Sequence, residues 1–202
     1  MHLADDSGRL VSSRSCGPRW RWRGADRLED QEQLEGVSAA VEDPAAPPLT
    51  VQRIRPEEVR AALPEFAEVI DLWLERRGDA AVPDWGAMDF ADFVGWHAQM
   101  MVSRFESEEP DPVFRLVGEK VAEVFQFSAQ NRSVSELAPH FYELQFRDHF
   151  REIREQGLVG LTSGKLPAKG RGHASLRILE LPFRDGGATV ERLVHVLAKS
   201  AG

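Results

Sequence analysis

LVGLTSGKLPAKGRGHASLRILELPFRDGGATVERLVHVLAK, residues Leu158–Lys199 of the 202-residue chain, decides the fold. Three runs rich in leucine, isoleucine and valine stand in it: Leu158–Pro167, Ala174–Phe183 and Val190–Lys199. Gly170 and Gly172 separate the first two, and Asp185-Gly186-Gly187 separates the last two. Short glycine-bearing loops between strand-like runs are hairpin signals. Strands joined so tightly must be antiparallel neighbours, because a parallel crossover takes a dozen residues or more.

Just upstream, Phe141–Gln156 carries Tyr142, Phe146, Phe150 and Ile153 at steps of three and four, and Gly157 follows. That spacing predicts one amphipathic helix with a glycine at its C-terminal cap. Ser133 and Glu136 form the capping box of a short helix that Pro139 stops. Glu119–Phe125, with Val121, Val124 and Phe125, predicts another. Val113–Gly118 alternates as a strand, His97–Phe105 reads as its partner, and an acidic turn over Glu106–Asp111 joins them.

Farther back, Pro56-Glu57-Glu58 suits a helix start, with proline in the first turn and acids at the positive end of the dipole. Val59, Leu63, Phe66, Ile70, Trp73 and Leu74 share a helical face over Pro56–Arg77. Pro64 should break that helix, and Gly78 should end it. A connector, Val82–Trp96, carries a short helix at Met88–Phe93. The order is helix, two strands, several short helices, three strands. It predicts a two-layer α/β (α+β) domain over residues 49–202, with the helical insert on one face of the sheet.

Residues 1–48 read differently. Arg19-Trp20-Arg21-Trp22-Arg23 is followed by an acidic stretch and a Pro/Ala linker at Asp43–Pro48, and no amphipathic period persists. Such composition buries too little apolar surface to offset ordering entropy, so a disordered leader is expected. Translation starting near Val37 would remove most of it. The Arg-Trp cluster as a membrane-surface or partner motif is the alternative. The net charge of −8, with six arginines against nine acids in residues 1–48, argues against a nucleic-acid binder. No apolar run reaches the ~18 residues of a membrane span. Cys16 is the single cysteine, which rules out an internal disulfide or thiolate metal cluster. The first residues lack a secretory pattern, so a cytoplasmic location is expected.

Three stretches carry a resemblance. DLWLERRGDAAVP at Asp71–Pro83, FRLVGEKVAEVFQFSAQNRSVSEL at Phe114–Leu137 and LRILELPFRDGGATVERLVHVL at Leu176–Leu197 resemble, in register, a short PAS-like family common in alphaproteobacteria. Phe127 and Arg132 stand where that family often has glycine, and Trp85-Gly86-Ala87-Met88-Asp89 departs from its pattern. The resemblance implies a PAS fold: a five-stranded antiparallel sheet, order 2-1-5-4-3, with helices cradling a central cavity. It also implies a sensory or signalling module that is usually a homodimer.

The residues exclude several chemistries. A flavin–cysteine adduct needs a cysteine in the helical insert, and none is there. No nucleophile elbow, HExxH or P-loop appears, and Thr162-Ser163-Gly164-Lys165 lies in a predicted strand. His140 and His149 do not make a metal site with their neighbours, and haem ligation by His149 is the weaker reading of that residue. No catalytic residue, metal or cofactor is expected. The ligand-pocket candidates are Phe114, Leu116, Val121, Phe125, Leu137, Phe146, Phe150, Leu179 and Leu197. Tyr142, Gln145, His149 and His195 are the polar groups that could orient a small apolar ligand. Simple core filling by the same side chains is the competing account. The expected output is in trans, through a signalling protein partner. The alternatives are a ligand-free dimerisation module, with Trp73 and Trp85 as anchors outside the sheet core, and a cavity enzyme using His149 as acid.

Overall fold

The computed structural model describes residues 49–125, 128–168 and 172–198. Within them, β1 (Thr50–Ile54), β2 (Met100–Arg104), β3 (Val113–Val117), β4 (Val159–Ala168), β5 (Gly172–Arg184) and β6 (Val190–Leu197) form one antiparallel sheet. The strand order is β1-β4-β5-β6-β2-β3. Five of these strands are the expected ones in the expected order. The sixth, β1, corrects the count: it adds to the outer edge of β4, from Thr50 opposite Ser163 to Ile54 opposite Val159. Its sequence, TVQRI, has only Val51 and Ile54 as apolar residues, three apart, so it lacks the period-two alternation that marks a strand.

The N-terminal helical segment breaks at Pro64, as the ring requires. It consists of α1 (Pro56–Ala62), a 3₁₀ turn (Pro64–Phe66) and α2 (Ala67–Arg77), closed by Gly78 at φ +54°. Between β3 and β4 come α3 (Glu119–Phe125), α4 (Val134–Leu137) and α5 (Pro139–Phe141), then a π-helical stretch (Tyr142–Phe146) and α6 (Arg147–Gln156). Both halves of the Ser133–Glu136 capping box are formed. The single helix expected over Phe141–Gln156 is thus interrupted. Tyr142, Phe146 and Phe150 recur at steps of four. A step of four overshoots an α turn and falls short of the wider π turn. One π stretch followed by α-helix therefore keeps all three rings on the buried side. Gly157, at φ +66°, caps α6.

Cross-strand register separates the two faces of the sheet. Gly160, Glu180, His195, Met101 and Val117 lie directly opposite one another in sequence across β4, β5, β6, β2 and β3. Directly paired residues share a face, and this row faces α6. The neighbouring row, Leu161, Leu179, Val196 and Met100, points the other way. That second face is not open. Trp73 of α2 donates its indole N–H to the Pro182 carbonyl at 3.0 Å, Glu65 pairs with Arg177, and Trp85 stands edge-on to Phe183. The sheet is therefore buried on both sides, where the sequence predicted an insert on one.

Trp73 is buried within the chain, and Trp85 packs between Phe183 and the Arg192 guanidinium. Both expected dimer anchors are used intramolecularly, because the second sheet face needs their apolar area. Cys16, the Arg19–Arg23 cluster, Phe127 and Gly170 lie outside the described residues, as does the expected leader. No described helix is long and apolar enough to cross a membrane.

Trp73→Ala should cost about 3–5 kcal/mol, since it removes a large buried ring and orphans a carbonyl. Leu144→Ala, at a side chain that is mostly exposed, should shift stability by less than about 0.5 kcal/mol. Urea unfolding midpoints of the two variants test the assignment of inner and outer positions.

Candidate functional site

Five polar side chains are sealed between α6 and the sheet: His149, Thr162, Glu180, His195 and Ser103, none more than 4% exposed. A buried charge is costly unless paired and hydrogen-bonded, so their contacts must be accounted for. Thr162 of β4 donates its hydroxyl to Glu180 Oε1 at 2.7 Å. His149 of α6 places Nε2 2.7 Å from Glu180 Oε2, donating N–H to the carboxylate. On the adjacent strands, Ser103 Oγ and His195 Nε2 are 2.7 Å apart. His149 Nδ1 has no hydrogen-bond partner.

Backbone geometry makes the cluster fit. His149 and Ile153 are four apart on α6, so both face the sheet over Gly160. A Cβ on Gly160 would collide with the Glu180 carboxylate, and would lie 2.6 Å from Ile153 Cδ1 and 2.9 Å from His149 Nε2. The missing side chain is the space that lets the helix settle onto the strand. Glu180 and His195 are cross-strand partners, which sets carboxylate and imidazole side by side.

Burial would raise the Glu180 carboxyl, but His149, by charge and hydrogen bond, with His195 and the Thr162 hydroxyl, holds it below its ordinary value. His195 goes the other way for an imidazole. Burial lowers it to about 4; Glu180 opposes that shift and His149 adds to it. At neutral pH the pair is therefore a carboxylate beside an uncharged His195.

Aromatic rings close over the polar layer. Phe114 lies 5.2 Å and Phe150 6.5 Å from the His195 ring, and Phe146 is 5.8 Å from Phe150. Leu197 shares the His195 face, since it lies two residues on in the same strand, and Val121 is buried in the same core. Phe125 and Leu137 are half-buried at its margin. Tyr142 is buried, which raises its hydroxyl pKa, and Arg147 stacks over its ring. Gln145 does not join the cluster, because its amide donates to the Leu49 carbonyl at the approach to β1. Leu116 and Leu179 do not join it either. Leu116 is paired with Val102, and Leu179 with Val196, both on the face under the N-terminal helices.

Sequence reasoning found both histidines and missed Glu180, Thr162, Ser103 and Gly160. The available signal was Glu180 itself, a charge inside LRILELPF at a position alternating with Ile178 and Pro182. The spacing of Ser103 to His195 suits a nucleophile and its base, but both are sealed from solvent. Among the described residues, no group of three or more His, Cys, Asp or Glu is placed to hold a metal ion.

A family model described as a PAS domain matches residues 52–198. No curated protein and no solved structure matches the chain.

Gly160→Ala should destabilise the fold by about 1–3 kcal/mol, because the added methyl must displace the carboxylate or the helix. Gly187→Ala, whose Cβ would meet only Glu191 at 3.4 Å, should cost less than about 0.5 kcal/mol. Equal effects in chemical denaturation would contradict the close approach of α6 to β4.

Proposed function

Because this chain belongs to the PAS domain family, we propose that it is a sensor whose stimulus is a small, mostly apolar ligand taken up between the helical lid and the sheet. Domains of this family are sensory or interaction modules. The lid is α3 to α6 with the π-helical stretch. The observation that carries the reading is the layered arrangement under it: Phe114 and Phe150 against His195, with Phe146 against Phe150, above a polar layer that includes the unpartnered His149 Nδ1. An apolar lining with a few convergent polar groups is what small-molecule sites use. An unpaired buried nitrogen costs about 1–3 kcal/mol, which a ligand supplying a hydrogen bond would recover.

In this reading the signal leaves by movement of the lid and passes in trans to a protein partner. Leu144, 66% exposed on the π-helical stretch, supplies an apolar contact on the lid's outer side. A ligand-free interaction module would use the same lid surface without the inner site.

A thermal-shift screen of aliphatic and aromatic carboxylic acids and their neutral amides tests the proposal. A ligand present at about 100 times its Kd adds about 2.7 kcal/mol, a rise of roughly 5–10 °C for a domain of this size. Phe150→Leu should weaken that shift at least tenfold in ligand concentration. If no compound raises Tm, or the shift is unchanged in Phe150→Leu, the ligand does not sit under the lid.

A further inference from the structure

The cluster has a property independent of any small molecule. Every hydrogen bond in it involves a titratable side chain that is buried. From these contacts we infer that His195, sealed beneath Phe150 of α6, is a proton-operated latch: acidification releases α6 from the sheet while the sheet itself stays folded.

The groups that face one another are few. Glu180 meets His149 from α6, Thr162 from β4 and His195 from β6. His195 meets Glu180 from β5, Ser103 from β2, and the rings of Phe114 from β3 and Phe150 from α6. His149 meets Glu180 from β5 and lies over Gly160 of β4. The charged neighbours on the rim are engaged elsewhere. Arg53 of β1 pairs with Glu152 of α6 at 2.8 Å, Arg147 pairs with Glu143, and Asp148 with Arg151. Besides burial, Glu180 feels His149, His195 and Thr162, and His195 feels Glu180 and His149.

The direction follows from burial. Phe150 of α6 is part of the cover over His195, so lifting the helix returns that imidazole to water and to its ordinary pKa of about 6.5. Closed, it titrates at about 4. The open form therefore binds more protons everywhere between these values. Closure is fully favoured above about 6.5, and opening is promoted as pH falls from there towards 4. Glu180, held below its ordinary value when closed, pushes the same way at the acid end. The opening equilibrium should rise about tenfold between pH 7.5 and 5.5 from His195 alone.

The construction of the lid suits local opening. α6 meets the sheet through His149, Phe150 and Ile153 and, at the β1 edge, through the Glu152–Arg53 pair, whereas β4, β5 and β6 are held by continuous ladders and by the N-terminal helices on the far face. Local units of this kind open below the free energy of global unfolding.

Native-state amide hydrogen exchange at low guanidinium, corrected for intrinsic rates, tests the latch on the full chain at pH 7.5, 6.5 and 5.5. The expected result is that α6 amides exchange through an opening much less sensitive to denaturant than that of β5. That opening should become about tenfold more populated from pH 7.5 to 5.5, and His195→Gln should abolish the increase. The wild-type series stands alone should the variant fold poorly. If α6 exchanges only with the denaturant dependence of β5, or if its local opening ignores pH, the latch is wrong. Either outcome leaves the ligand site under the lid to its own thermal-shift test, and a failed ligand screen leaves the latch intact.

Discussion

A carboxylate buried under a helix is the constraint around which this domain is arranged. Glu180 sits in the middle of the sheet with almost no solvent contact, where an unpaired charge would not be tolerated. Two donors answer it, the Thr162 hydroxyl from the neighbouring strand and the His149 imidazole from α6. The second of these draws the lid down. Gly160 then has no choice of side chain, since the space a Cβ would take is already filled by the carboxylate and the helix. His195 is neutral because the same burial that encloses the carboxylate lowers its pKa.

This explains why the two faces of the sheet are built so differently. Beneath α2 and the connector, contacts are large and mainly apolar: Leu179, Leu181, Phe183, Val194 and Val196 below Trp73 and Trp85. Such packing depends little on pH and specifies one arrangement. On the lid face, polar groups interrupt the apolar layer where helix and sheet meet. Breaking a buried pair of this type from one side leaves the other charge stranded, at about 3–5 kcal/mol. A fixed face and a conditional face together suit a module that must keep its fold while changing its surface.

Much of the fold was legible because its signals are local. Pro64, Gly78, Gly157 and the Ser133–Glu136 box set boundaries through their own backbone chemistry, and the structure honours each. β1 was not legible, because burial along it does not alternate: its two half-buried residues, Val51 and Ile54, stand three apart. The π-helical stretch was hidden for another reason: steps of four residues fit an α-helix nearly as well. The site was legible only in part. His149 and His195 stand out among apolar neighbours, yet the apolar character of Leu179 says nothing of the face it takes, and Glu180, one residue away, is the one that looks at the lid. A shift of one position along a strand exchanges the faces, and only the register between strands shows which residue looks at the lid.

The central claim is that His149 and Glu180 are energetically one unit joining lid to sheet. A double-mutant cycle measures this directly, using the stabilities at pH 7.5 of the wild type, His149→Phe, Glu180→Leu and the double variant. A coupling energy of about 2 kcal/mol or more, with the double variant less damaged than the sum of the singles, is the predicted result. Effects that add within about 0.5 kcal/mol would mean that the two side chains do not depend on each other, and would contradict the account.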